Sequence, residues 1–350
     1  MQDLIKDSRI KLLEQLLGFL WRQWTSLGVP GNRAASGGRL IDPEALVLIT
    51  TELARYDTRL LDSSLDWLHS HGRWINLQRL KTLHGQWPNA EPRVLAAFAA
   101  VLAEQSTLRK WENLKENGPQ FSGHQLESLS ISSDGIAVPI FGDPDPRFQR
   151  FGLLRSRWEP RGNGRFPSSD RVENLLFVLR SLFGVNARAE IMAWLLTHES
   201  GHPAEIARAT GYFSKSIQST LNEMEQSGHI RSARDGREKR FWLLRGDWDF
   251  LMQWKEPLVL PCWVNWSPVF YFAKRTLDLL KEPVEQTASE NLRAIQQRGF
   301  LDEILPRLGL SGFLTAMSAH RGLKGCELTE AILKDVENLG MLLDHDFTEQ

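Results

Sequence analysis

The sequence predicts a mainly α-helical, multidomain protein with little β structure, and three observations carry that expectation. Apolar residues recur at helical spacing through both ends of the chain. One central segment, 187–244, reads as three short helices followed by a β-hairpin. Elsewhere, β-prone runs are short and confined to residues 118–170. With 350 residues, 42% of them hydrophobic and 24% charged, the chain is long enough for two or three domains with sizeable cores.

The N-terminal helical domain is placed at 1–117. Its first helix carries a stripe of Leu12, Leu13, Leu16, Leu17, Leu20 and Trp24, which either docks on the body of the protein or pairs with its copy in a dimer. After a Gly-rich loop, Pro43 following Asp42 opens a second helix, and Asp57 caps a third with Leu60, Leu61, Leu65 and Leu68 on its buried face. A further helix near 77–83 follows Gly72. Residues 43–83 form either a helical bundle or a second, wing-poor helix-turn-helix. The Ala-rich helix over 93–105 offers packing and no chemistry. Residues 118–170 form a connector of short strands and turns, ending in a basic stretch with Arg155, Arg157, Arg161 and Arg165 that reads as a solvated linker, the alternative being contact with a DNA backbone. Helix resumes over 171–183.

The central domain is placed at 171–254. Ile191, Trp194 and Leu195 share one helical face; Ser200-Gly201 breaks the helix, and Pro203 suits the first turn of the next. That helix buries Ile206 and Ala207 and stops at Gly211. Ser214 is the expected N-cap of a third helix, whose Ile217, Leu221 and Met224 face the core. Gly228 closes it, Ile230 starts a strand, Asp235-Gly236 supplies turn chemistry, and Phe241 and Leu243 alternate back inward. The C-terminal region, 255–350, is expected to be helical over part of 263–281 and over 285–298, 301–308 and 328–339. It is a separate domain or a wrap around the first one, with room for a dimer interface or a ligand pocket.

The central segment resembles the winged helix-turn-helix domain of bacterial transcription regulators of the broad MarR/ArsR-like kind. The matching positions are the short second helix ending in Gly211-Tyr212, Ser214, Leu221 with Met224, Gly228-His229-Ile230, and Asp235-Gly236-Arg237. The resemblance covers about a sixth of the chain. It implies a DNA-reading third helix, a hairpin wing, and a homodimer whose half-sites lie about one helical turn apart.

On the third helix the face away from the apolar stripe presents Lys215, Ser216, Gln218, Ser219 and Asn222, side chains able to reach base edges and phosphates. The wing and its flanks, 231–245, hold six basic residues against two acidic ones in a chain whose formal net charge is −1. Arg234, Arg237, Lys239 and Arg240 are the expected phosphate or minor-groove contacts. The expected activity is sequence-specific binding of double-stranded DNA in transcription regulation; the alternative is a winged-helix protein-interaction module. No cofactor is implied, and an effector or further protein partner is left open.

A third alternative is a zinc peptidase, because His198-Glu199-Ser200-Gly201-His202 spells HExxH. That chemistry needs continuous helix through both histidines, which Gly201 and Pro203 disfavour. His69 and His71 point to different helical faces and are poor co-ligands. Two cysteines, Cys262 and Cys326, are too few for a disulfide framework. No nucleotide-binding or hydrolase motif appears, so the protein is not expected to be an enzyme. The N-terminus does not read as a signal peptide and no apolar run matches a membrane span, so the expected location is the cytoplasm.

Overall fold

The first helix, α1 (Gln2–Ser26), turns its leucine stripe onto the protein itself: Leu12, Leu13, Leu16, Leu20 and Trp24 are all buried. This computed structural model describes residues 2–35, 38–88, 90–123, 125–236, 238–251, 260–281, 290–309 and 320–344. α2 (Pro43–Leu53) begins at the expected Asp42 cap and is buried along its whole length. α3 (Thr58–His71) is capped by Asp57, α4 (Leu77–Gly85) by Asn76 and α5 (Pro92–Ala103) by Glu91, each side chain accepting from the first-turn N–H groups that lack helical partners. Being buried throughout, α2 has no exposed face.

A short α6 (Glu112–Glu116) leads into the connector. There, β1 (Glu127–Ser128) pairs in parallel with β2 (Leu153–Leu154), with α7 (Pro146–Gln149) between them. The basic stretch after β2 keeps Arg157, Arg161 and Arg165 exposed, but its backbone is anchored. Asp66 of α3 accepts the backbone N–H groups of Arg161, Gly162 and Asn163 at 2.7–2.9 Å, and Arg155 pairs with Asp62 at 2.8 Å. A carboxylate on the bundle thus holds three successive backbone donors, an anchor that the linker's own composition does not reveal.

Past the connector come α8 (Leu175–Phe183), α9 (Ala187–Thr197), α10 (Pro203–Thr210) and α11 (Ser214–Gln226). The antiparallel strands β3 (Arg231–Asp235) and β4 (Glu238–Trp242) follow. α12 (Trp266–Lys281), α13 (Glu290–Leu308) and α14 (Gly325–Asp344) complete the described chain. Gly299 does not divide α13, although the sequence suggests a break there. Phe300, Leu301, Ile304 and Leu308 are all buried beyond it, and that packing outweighs the roughly 1 kcal/mol cost of a helical glycine.

Two apolar cores result. The larger joins α1–α5 and the connector to α12–α14, so the C-terminal helices wrap the N-terminal ones and share their interior. The smaller is built by α8–α11 and the hairpin, around Ile191, Leu195, Ile206, Ile217, Leu221, Ile230 and Phe241. α8 serves both: Phe177 points into the large core, and Leu175, Leu176 and Leu179 into the small one. Several of the tryptophans are core fillers, with Trp24 against Trp67 and Trp266 against Phe19 and Phe270.

The seam between the cores carries buried charge. Arg180 of α8 makes two 2.8 Å bonds to the two oxygens of Glu44 and a 2.6 Å bond to Glu190 of α9. Arg79 of α4 reaches Glu44 at 2.7 Å, both oxygens of Asp42 at 2.5 Å, and the carbonyl of Thr210 at 2.5 Å. Burial pushes the Glu44 carboxyl up, but the charges and hydrogen bonds of Arg180 and Arg79 overcome this and hold it at about 2. Burial pushes Glu190 up, and the same guanidinium groups offset only part of that.

Candidate nucleic-acid interface

The third helix of the 187–244 segment is α11, and its two faces divide as the residue types require. Ile217, Leu221 and Met224 are buried; Lys215, Ser216, Gln218 and Ser219 are exposed, and Asn222 is half-buried. The helix begins one residue earlier in function than expected. Phe213, not Ser214, holds the N-cap position, and no side chain caps the helix there. Ser214 is the first helical residue. At the far end Ser227 ends the helix, and Gly228, at φ +78°, turns the chain toward β3.

The hairpin is positioned by a third extended segment. Gly201, between α9 and α10, exchanges backbone hydrogen bonds with Phe241 of β4 at 2.8 and 2.9 Å. Phe241 is fully buried, so one aromatic side chain and one glycine backbone set the height of the hairpin over the helices. Gly201 is required at this point: a Cβ there meets Trp194 Nε1 at 2.6 Å and Ile206 Cδ1 at 2.7 Å. In β3 and β4 the register places Arg234 directly opposite Lys239. Like charges opposite each other destabilise a sheet, so this pair raises the local positive potential at a cost.

The basic residues of the hairpin are not equivalent. Arg231 and Arg234 are exposed. Lys239 is tied to Glu225 of α11 at 2.5 Å and lies over the Phe241 ring. Bonds from Lys239 and from the Ser232 hydroxyl hold the Glu225 carboxyl below its ordinary range. Arg240 is half-buried, bonded to Ser200 Oγ at 3.0 Å and Glu205 at 3.2 Å. Arg237 lies outside the described residues. Lys215, Ser216, Gln218, Ser219 and Arg234 are thus open polar surface, and the hairpin is tied to α11 through Glu225. Lys239 and Arg240 are engaged with carboxylates.

The HExxH segment is split between two helix ends. His198 follows the last turn of α9 in extended conformation, stacked on Trp194 at 3.7 Å with Nδ1 3.0 Å from the Trp194 carbonyl. Burial pushes its pKa down. His202 is the N-cap of α10: its ring accepts from Ala204 N, while Glu205 accepts from His202 N at 3.2 Å. The two imidazoles do not share a helical face, so the zinc-peptidase arrangement is absent from this segment. Among the described residues, no group of three or more His, Cys, Asp or Glu side chains is placed to hold a metal ion.

His69 and His71 likewise have separate neighbours, the Trp158 ring and the Gly164 carbonyl. Among the described residues, no helix is long and apolar enough to cross a membrane. The sequence counts Arg231 in the basic wing without marking it as a contact, and it does not single out Phe213 or the charged seam. A signal for the seam existed in Arg180, set within the apolar run of α8, and in Glu44, set within that of α2. Comparison with protein-family models, curated proteins and solved structures returned no match to this chain.

Proposed function

We propose that residues 175–251 form a winged helix-turn-helix unit of the MarR/ArsR-like kind, through which the protein binds double-stranded DNA to regulate transcription in the cytoplasm. One observation carries the reading: the polar face of α11 is open to solvent beside a hairpin bearing exposed Arg231 and Arg234. In this reading α11 enters the major groove, with Lys215, Ser216, Gln218, Ser219 and Asn222 nearest the bases. Arg231 and Arg234 meet phosphate; Arg237 at the turn completes the set. Lys239 and Arg240 brace the wing and reach phosphate only by exchanging their carboxylates for it. A homodimer would place two such helices on half-sites about one helical turn apart.

The test is fluorescence anisotropy with duplex DNA, drawn from the gene's upstream region and then from random-sequence selection, across a salt series. Wild-type binding should weaken steeply with salt, and Arg231→Glu/Arg234→Glu should bind at least tenfold more weakly with a shallower slope. Equal and weak binding by both proteins, even on selected DNA, would overturn the reading in favour of a protein-docking role. Sedimentation of the free protein checks the dimer.

A further inference from the structure

Phe213 occupies a position that neither folding nor helix capping explains. Its side chain is 68% exposed, and among the described residues its ring belongs to neither core and stacks on no other ring. N-cap sites favour Ser, Thr, Asp or Asn, whose side chains satisfy first-turn N–H groups, and Phe213 does none of this. The residue thus forgoes both burial and a cap.

Its backbone is nonetheless held firmly on both sides. Upstream, the Thr210 carbonyl accepts from Arg79, the Tyr212 hydroxyl accepts from Asn76 Nδ2, and Tyr212 N donates to the Ala207 carbonyl at 3.1 Å. Downstream, the Phe213 carbonyl accepts from Ile217 N at 3.1 Å and so starts the helix. The ring is displayed in solvent from a fixed base, immediately before the exposed Lys215 and Ser216.

The first residues of a groove-reading helix lie deepest among the base edges. In the major groove, thymine is marked by its C5 methyl group, and a phenyl ring is one of the side chains that packs on it. We infer that Phe213 is a specificity residue that reads a thymine methyl in the major groove. This inference rests on the DNA-binding reading and adds a sequence element to it: at least one thymine in each half-site, at the position facing the N-terminus of α11. Phe213 is the lone exposed aromatic on α11 and its cap.

The experiment replaces single thymines by deoxyuridine, which lacks only the methyl, in duplexes selected with the wild-type protein. Binding is read by anisotropy for wild type, Phe213→Ala and Phe213→Ser. For the wild type, one thymine position per half-site should cost about fourfold in Kd on replacement, the worth of one buried methyl group. Both variants should be insensitive to that replacement. Phe213→Ser should also raise the thermal midpoint, because it restores a capping hydroxyl, so loss of methyl sensitivity cannot be ascribed to loss of fold.

If the wild type binds its selected duplex but no thymine replacement matters, or if the variants keep the same sensitivity, the assignment of Phe213 is wrong and DNA binding stands. If selection yields no duplex that the wild type prefers over random DNA, the DNA-binding reading fails and this inference fails with it.

Discussion

Arg180 and Glu44 face each other as a two-pronged pair, both bonds 2.8 Å and both side chains fully buried, across the boundary between the two cores. The pair is not self-sufficient. Arg79 and the backbone N–H of Asn76 donate to Glu44, and Glu190 and the Trp74 carbonyl accept from Arg180, which leaves Arg180 Nε as the one nitrogen of that guanidinium without a partner; buried charge is tolerated only where such bonds offset most of the lost hydration.

Removing one member leaves the others uncompensated. Glu44→Gln should cost about 3–5 kcal/mol of unfolding free energy in urea titrations near neutral pH. Because the folded carboxyl is held at about 2, below its ordinary value of 4.5, its contribution is present above pH 4.5 and is lost as pH falls from there toward 2. A loss under about 1 kcal/mol in the variant would show that water screens the pair.

Glu52 makes the opposite prediction. Burial raises its carboxyl to about 7, with Lys274 at 3.9 Å offsetting only part of the cost of desolvation. A raised acid binds its proton more tightly in the folded chain, so its stabilisation is complete below pH 4.5 and declines as pH rises through 7. Relative to Glu52→Gln, the wild type should lose roughly 2–3 kcal/mol between pH 4.5 and 7.5, read from urea midpoints at each pH. A constant difference across that range would refute it.

The Glu225–Lys239 pair should act as a brake on phosphate binding. Glu225→Gln releases the lysine, so binding to random duplex should tighten and the slope of log K against log salt should steepen by about 0.9. Lys239→Gln in the wild-type background should leave that slope nearly unchanged. A large drop on Lys239→Gln would instead mean that the lysine already leaves Glu225 for the DNA.

Gly201→Ala tests what sets the height of the hairpin. The added methyl meets Trp194 and Ile206 well inside contact distance, an overpacking worth about 1–3 kcal/mol. The loss should appear in thermal unfolding, together with faster hydrogen exchange at the Phe241 amide, whose bond to Gly201 is 2.9 Å. Unchanged exchange at Phe241 would show that strand pairing survives and that the strain is relieved elsewhere.

Much of the helical architecture is legible in the sequence because it rests on local signals. Asp42 before Pro43, Asp57 before α3 and the 3.6-residue spacing of Ile217, Leu221 and Met224 each announce an element within one or two turns. What is not legible depends on partners distant in the chain. Arg240 reads as a phosphate contact until Glu205, 35 residues earlier, is seen beside it. The basic stretch after β2 reads as a loose linker until Asp66 is found gathering its amides. Phe213 was hidden for another reason: Ser214 beside it is the better cap on propensity, and only the backbone shows where the helix begins.

The charged seam also bears on whether the unit of α8–α11 and the hairpin is portable. A fragment cut at residue 170 would keep Arg180 and Glu190 in one half and Asp42, Glu44 and Arg79 in the other, each set meant for a dry interface. Neither piece could be grafted onto a foreign chain without exposing or orphaning those groups. The small core is built into the large one, and the two fold as one body.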